Sequence, residues 1–450
     1  DLVRSRGLGD VYKRQVQVLF AGAHLGYDPR RVPLGGGAAV GIALVRRWAE
    51  TRAFPFLVLG SGEIPPCPGV PYHRVSWDEG TQTHPADLSI RQYARLSRAF
   101  ERGVTEFLRE LARTVDPRGV CVLHNDIAEA GDFREIAALG YRQAAIFHVD
   151  VVDYVASIYG RGIVSAPGLA RLWRGLERTR LAALLPDVAA LAFGKQEACA
   201  RHCDLLVVPS QPMARILRAS YPWRTAEDVV VLPWGAISEP EPPDTGEVLA
   251  ELQRRYAPAG RPVVLTLSRI SPEKGQDLLL RALRRWERRG GEELLVLVCG
   301  APAYMHGGSY LRRLHRLARG LRRVEVHFPG YVAGAEKHAF FRLSDLYVFP
   351  SRHESYGLTL MEALAAGLPA LTTDHRSARD LVRPEFGRVV PATPAGLYRG
   401  LAELLERRSE LSRMGEAARA FARARPFAAA ADALAAQILR ILSPQPVGTA

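Results

Sequence analysis

Lysine is nearly missing from this sequence. It stands only at positions 13, 195, 274 and 337, although lysine and arginine together number 60. That skew, beside abundant alanine, reflects a GC-rich coding sequence more than a selected property. It still makes a lysine beside a glycine turn, such as Lys274, worth notice. Cysteine is sparse: five residues, at 67, 121, 199, 203 and 299, form no paired framework, and a reducing, cytoplasmic setting is expected. Cys199 and Cys203 have i,i+4 spacing. A zinc site would need two more ligands and a tighter knuckle; a half-buried helix is the plainer reading. No apolar run reaches the roughly 18 residues of a membrane span. "LAALLPDVAALAFG" is broken by Pro186 and Asp187, and the opening residues lack a signal-peptide core. Aromatic-basic interleaving and a reading helix are lacking too, so no nucleic-acid partner is expected.

What is present is an ordinary globular composition: 450 residues, 48% hydrophobic and 24% charged, enough for two or three domains. The net charge of +13 favours anionic partners: nucleotides, sugar phosphates or an acidic membrane surface. The stretch "SRGLGDVYKRQ", residues 5–15, reads as the translation of a sequencing adapter, the alternative being an authentic polar leader. Residues 1–15 are therefore set apart from the fold, and without them the charge falls to about +11.

From "VQVLFAGAHLG" onward, apolar runs alternate with segments of helical period. Strands are expected at "FPFLVLGSG", "VPYHRVSW", "GVCVLHND", "AAIFHVDVV", "CDLLVVPS" and "DVVVLPWG", and a helix over 89–115. "SEPEPPDTGE", residues 238–247, reads as a hinge. The alternation then resumes, with helices expected at 276–288, 309–320 and 335–343. Strands alternating with helices argue for parallel sheets covered on both faces. The expected division is 16–240, 241–425, and a terminal helix and tail over 426–450 that could pack on either domain.

One stretch concentrates chemistry. In "SRHESYGLTLMEALAAG", residues 351–367, a buried strand ends and a helix opens after Gly357. Ligands in open parallel sheets bind beyond the carboxyl ends of strands. A helix N-terminus there presents free N–H groups and suits phosphate. Glu354 precedes this turn and Glu362 follows it, on the order of 10 Å away. That is too far to share a proton, but it suits a ligand with hydroxyls at both ends and a diphosphate between them. In "LSRISPEKGQDLLLRAL", Arg269 and Lys274 flank a second strand–helix turn, where two cations can neutralise a leaving diphosphate; the plainer reading is two solvated charges.

"SRHESYGLTLMEALAAGLPALTTD" resembles the E-x7-E signature of the family-4 retaining glycosyltransferases of GT-B fold. "SRISPEKG" is similar to that family's G-R-x-x-x-x-K-G turn, with Ser268 for glycine, and "FPGYV" (328–332) to its nucleobase-binding strand end. The resemblance runs over about 262–425. In the first half "GGAAV" (36–40) resembles a G-G-A-E-V loop with Ala39 for glutamate. "FHVDVVDY" resembles the segment that carries a histidine near the transferred sugar, here His148. "VLPWGAI" has Trp234 where asparagine is usual, and "DHRSARDLV" has Asp380 where glutamate is usual.

The resemblance implies an α/β protein of GT-B fold, two Rossmann-like domains facing across a cleft. It implies a metal-independent hexosyltransferase that retains anomeric configuration. Arg269 and Lys274 would hold the diphosphate and Glu362 the ribose hydroxyls. Glu354 and the backbone of Ser355, Tyr356, Gly357, Leu358 and Thr359 would hold sugar and phosphate, with Tyr331 and Val332 flanking the base. Gly36 and Gly37 would admit phosphate and acceptor, and His148 would hydrogen-bond the donor sugar. Expected partners are a nucleotide sugar and a glycan or lipid-linked acceptor, at the cytoplasmic face of a membrane or free in the cytoplasm. No D-x-D stands in a suitable loop, so neither metal nor other cofactor is implied. Apart from the resemblance, His148 and His124 read as structural histidines, since a lone histidine lacks the partners a site needs. "GGGAAVG" mimics a dinucleotide fingerprint with its third glycine one place late. "ARLWRGLERTRLAALL" (170–185) is a basic amphipathic stretch, either a solvated face or a contact for anionic lipid. The competing functions are a nucleotide-sugar epimerase on the same fold and a basic nucleic-acid-binding protein.

Overall fold

The computed structural model describes residues 16–28, 35–76, 90–158, 160, 163–179, 189–237, 240–303 and 307–443. The adapter-like residues 1–15 and residues 238–239 of the hinge segment lie outside this set. The chain forms two compact units. The first comprises Asp1–Pro233 with Ala428–Ala450, the second Trp234–Phe427.

The first unit is built on a seven-stranded sheet, β1 (Val18–Ala21), β2 (Phe56–Gly60), β3 (Tyr72–Arg74), β4 (Cys121–His124), β5 (Arg142–Ile146), β6 (Leu205–Val208) and β7 (Val229–Val231). Its spatial order is β3-β2-β1-β4-β5-β6-β7, and all pairs are parallel. The apolar runs behave as doubly covered strands should: β1, β4 and β6 are buried at every position. Apolar clusters lie on this sheet. One gathers Phe100, Val104, Leu108 and Val122; another gathers Phe133, Phe147, Leu206 and Tyr221.

The second unit repeats the plan with six parallel strands, β8 (Val263–Leu267), β9 (Leu294–Cys299), β10 (Val324–Gly330), β11 (Leu346–Phe349), β12 (Ala370–Thr373) and β13 (Gly387–Val390), in the order β10-β9-β8-β11-β12-β13. In both sheets the order reverses once, between β1 and β4 and between β8 and β11. In doubly wound sheets this reversal opens a crevice at the strands' carboxyl ends. It brings together loops far apart in sequence, and it positions the site.

The helix expected over 276–288 is Gln276–Arg288, and those expected over 309–320 and 335–343 are Gly307–Ala318 and Gly334–Leu343. Two expectations need correction. "AAIFHVDVV" is not one strand: β5 ends at Ile146 and a helix opens at Val151. There Asp150 accepts from the backbone N–H of Asp153, an N-terminal capping contact that outweighs the β-branched run. The hinge segment is not wholly irregular, since helix Thr245–Tyr256 begins inside it.

The terminal helix, Phe427–Leu442, returns from Ala428 onward to the first unit. Trp48, fully buried on helix Gly36–Thr51, donates its indole N–H to the Ala431 carbonyl at 3.1 Å. Its ring packs against Phe54 at 5.2 Å and Phe20 at 5.7 Å. Arg47 holds Asp432 through two hydrogen bonds of 2.9 and 2.6 Å. Replacing Trp48 by alanine leaves a large cavity and removes the indole's hydrogen bond to the Ala431 carbonyl. The Trp48→Ala variant is expected to lose about 3–5 kcal/mol of stability in the first unit and to expose the terminal helix to early protease cleavage, read by denaturant melts and limited proteolysis.

Candidate functional site

Strand β8 ends at Leu267, and the chain runs through Ser268–Gly275 into helix Gln276–Arg288. Strand β11 ends at Phe349 and runs through Ser351–Gly357 into helix Leu358–Ala365. These loops meet at the sheet's reversal. Lys274 Nζ, from the first, lies 2.5 Å from Glu354 Oε2, from the second. The side chains keep only 12% and 15% of their exposure, so the pair is poorly screened and its Coulomb attraction is strong. Burial by itself would push the Glu354 carboxyl up. The Lys274 charge and hydrogen bond, joined by His375 and Arg269, overcome this and hold it below the usual carboxylate range. Arg269 is therefore electrostatically close to the same carboxylate.

The loops are fastened by more than this pair. The Arg352 backbone N–H donates to the Glu273 carbonyl at 2.7 Å, and its guanidinium donates to the Pro272 carbonyl at 2.7 Å and grips Asp277 at 2.8 Å. Tyr310 donates to Asp277 at 2.7 Å. Desolvation would raise the Asp277 pKa, but Arg352 and Tyr310 turn the shift downward. Gln276 donates to Ser268 Oγ at 2.9 Å and to the Arg269 carbonyl at 2.8 Å. Gly275 has φ +67°, and a Cβ there would meet the Pro350 carbonyl oxygen at 2.0 Å. The approach of the two loops requires a glycine at this point. Gly357 has φ +105° and caps the helix that follows.

Glu362 lies one turn into that helix. Lys337 Nζ is 3.3 Å from its Oε1; Lys337 comes from helix Gly334–Leu343, which begins just beyond Tyr331 and Val332. Tyr331 is 43% exposed, whereas Val332 is buried. Thr359 Oγ1 stands 3.1 Å from the Tyr347 hydroxyl, which donates to the Leu267 carbonyl. The Tyr356 hydroxyl accepts from the Gly235 N–H at 2.8 Å, and its carbonyl accepts from Ser377. The expected second-unit residues thus cluster at the carboxyl ends of β8, β10 and β11. Lys337, His375, Gln276, Arg352 and Asp277 were missed. Scarcity of lysine, the signal that drew notice to Lys274, would have pointed to Lys337 as well. The other four carry no local motif.

In the first unit, Asn125 follows β4, accepts through Oδ1 from His148 Nε2 at 3.3 Å and donates through Nδ2 to the Gly37 carbonyl at 3.2 Å. A Cβ on Gly37 would meet the His148 ring at 2.8 Å. Burial pushes His148 down to about 4, against the opposing charge of Glu129, so it is neutral at neutral pH. Gly36 opens the neighbouring helix. At this sheet's reversal His24 Nε2 and Glu129 Oε1 lie 2.6 Å apart. His124 is fully buried beside Phe133, 3.1 Å from Gln143, and pushed down to about 3, which suits a core residue. Cys199 and Cys203 Sγ stand 3.7 Å apart as free thiols. Among the described residues no group of three or more His, Cys, Asp or Glu is arranged to hold a metal ion, and no helix is long and apolar enough to cross a membrane.

Residues 250–421 match the family model "Glycosyl transferases group 1". The GDP-mannose-dependent alpha-(1-6)-phosphatidylinositol monomannoside mannosyltransferase of Mycobacterium tuberculosis H37Rv is 34% identical over 204 residues, 43% of this chain and 51% of that protein. The chain spans about half the length of the curated relatives it matches first. In fold, the sucrose-phosphate synthase of Thermosynechococcus elongatus superposes with TM-score 0.68 at 17% identity, covering 95% of this chain and 98% of that one. HepE of Anabaena, solved with UDP and glucose, does so with TM-score 0.63 at 16% identity, covering 94% and 99%. Two parallel sheets flanked by helices, matching these structures, are the GT-B architecture.

Two outcomes follow from the site's geometry. Gly275→Ala is expected to cost at least about 2 kcal/mol, from the left-handed backbone and the Pro350 clash, read by denaturant unfolding of the second unit. His375 is buried 3.0 Å from Thr372 Oγ1, and burial pushes it down from 6.5 to about 4. As pH falls the unfolded chain takes up this proton first. The contribution is therefore whole above about 6.5 and declines between about 6.5 and about 4. The His375→Gln variant is expected to lose stability less steeply than wild type across that window in parallel thermal melts.

Proposed function

We propose that this chain, whose residues 250–421 belong to the group 1 glycosyl transferases on a GT-B fold, moves a hexosyl unit from a nucleotide sugar to a hydroxyl of a glycan or lipid-linked acceptor, with retention of configuration. The observation that carries the reading is the Lys274–Glu354 pair at the β8/β11 reversal, with Arg269 close enough to act on the same carboxylate. A leaving diphosphate needs cations where its charge develops and nowhere else. Lys274 is held in place by Glu354, so little reorganisation is required when charge builds on the phosphate. Glu354, kept ionised, accepts sugar hydroxyls; Glu362, steadied by Lys337, accepts those of the ribose. The free N–H groups at Leu358 and Thr359 face phosphate oxygen. Tyr331 and Val332 flank the base. In the same reading His148 hydrogen-bonds the donor sugar, and Gly36 and Gly37 admit phosphate and acceptor.

The chemical step breaks the bond between the anomeric carbon and phosphate oxygen and forms a bond from the same carbon to the acceptor oxygen on the same face. The acceptor's proton passes to the departing phosphate oxygen. Arg269 and Lys274 supply the positive charge, so the reading requires no metal and no other cofactor.

Wild-type protein is expected to show a raised melting temperature with one of the UDP-, GDP- or dTDP-sugars, and turnover of that donor unchanged by a chelator. Lys274→Ala and Glu354→Ala are each expected to lower kcat by roughly 100-fold or more, while Glu362→Ala chiefly raises the donor KM. Turnover of both kcat variants near wild-type level would remove these residues from the reaction. Product from donor alone, without acceptor, would turn the reading toward epimerisation.

A further inference from the structure

Three guanidinium groups surround one carboxylate in the second unit. Asp277, its side chain 3% exposed, stands in the first turn of helix Gln276–Arg288. Arg352, from the loop after β11, takes both of its oxygens, at 2.8 Å to Oδ1 and 3.0 Å to Oδ2. Tyr310 donates to Oδ1 at 2.7 Å. Arg281, one turn further along the same helix, comes to 3.9 Å from Oδ2. Arg313, from helix Gly307–Ala318, comes to 3.6 Å from that same atom. These last two distances are too long for a hydrogen bond, so both arginines meet Asp277 by charge alone. Among the described residues neither has a second acid within ion-pair distance.

The charges here do not balance. Three positive groups, brought by three separate segments, face one ionised carboxylate, and an excess of two remains. Like charges gathered this closely repel one another. Arg281 and Arg313 are 43% and 49% exposed, and long exposed side chains lose entropy when they converge. The acid they converge on is already satisfied by Arg352 and Tyr310. Their N–H donors face solvent with no acceptor among the described residues. A ligand that completes the cluster carries two negative charges and several acceptor oxygens. Phosphate does both, and its oxygens match the guanidinium fork. A carboxylate brings half that charge and a neutral sugar none.

We propose that Arg281 and Arg313, backed by Arg352, bind a phosphate dianion, either the inorganic ion or the phosphate group of a small ester. The site is carried by helices Gln276–Arg288 and Gly307–Ala318. It uses neither Lys274 nor Glu354, so the inference does not require the transfer reaction.

The test is titration calorimetry of the full chain at constant ionic strength, with sodium phosphate and with glycerol phosphate. Wild type is expected to bind at least one of them, and tighter binding of the ester identifies an organic source. Arg281→Gln with Arg313→Gln is expected to weaken binding at least about tenfold, since two charge-assisted contacts are lost. Arg285→Gln with Arg316→Gln removes the same charge from exposed positions on the same two helices and is expected to change it less than about twofold. Lys274→Ala is expected to leave binding in place. All four arginines are exposed, so circular dichroism melts should match wild type; if the first pair melts early, Arg313→Gln alone takes its place. No binding by wild type, or equal weakening in the two arginine pairs, would overturn the proposal. So would binding that is lost in Lys274→Ala and kept in Arg281→Gln with Arg313→Gln, which would assign the phosphate to the neighbouring crevice.

Discussion

The second unit depends on one buried charge contact, Lys274 against Glu354. It joins two loops whose residues are 80 positions apart, and it does so where the sheet order reverses and β8 lies beside β11. Removing either partner leaves a poorly solvated charge behind, a costly outcome. The contact therefore works in two ways. It clamps the loops at the crevice, and it holds the Glu354 carboxyl below the usual carboxylate range. Its surroundings serve the same geometry. Arg352 bridges the loops through Pro272 and Asp277, and Gly275 permits an approach that a Cβ would block.

The first unit answers the same problem in a similar way. Its reversal lies between β1 and β4, and there His24 and Glu129 pair across the two loops. Glu129 is almost fully buried; desolvation favours its neutral form, and His24 and Tyr93 outweigh that effect. Lysine is used in the same sparing manner. Each of the three within the described residues pairs with a glutamate: Lys195 with Glu101, Lys274 with Glu354 and Lys337 with Glu362. An ammonium is a compact point charge that one carboxylate can hold, whereas a guanidinium spreads its charge over a fork.

Much of the architecture was legible because its signals are local. Apolar runs such as "CVLH" and "LLVLVC" form strands buried at every position, and the helix after Lys274 begins and ends where its apolar period does. Strand β13, "GRVV", was not read from sequence: it is four residues long and three are only half-buried, so no run of apolar side chains marks it. The β5 segment was read too long because Phe147 and the valines at 149, 151 and 152 suit a strand, while the capping contact at Asp150 is visible only in coordinates. In the site, Glu354 and Glu362 were legible by spacing about a glycine turn. Which lysine each one meets was not, since Lys274 reaches Glu354 from another loop and Lys337 reaches Glu362 from helix Gly334–Leu343.

The alternation of strand and helix, the glycine turns at 275 and 357, and the carboxylates and cations set about those turns were legible in the sequence alone, because each depends on neighbours within a few positions. The tertiary structure alone decided which carboxylate each lysine meets, and that the terminal helix packs on Trp48 and Arg47 of the first unit. Those outcomes depend on which strands lie side by side after the chain has crossed over. Contacts between distant segments are chosen by packing and by desolvation in the folded state, and no local pattern carries that information.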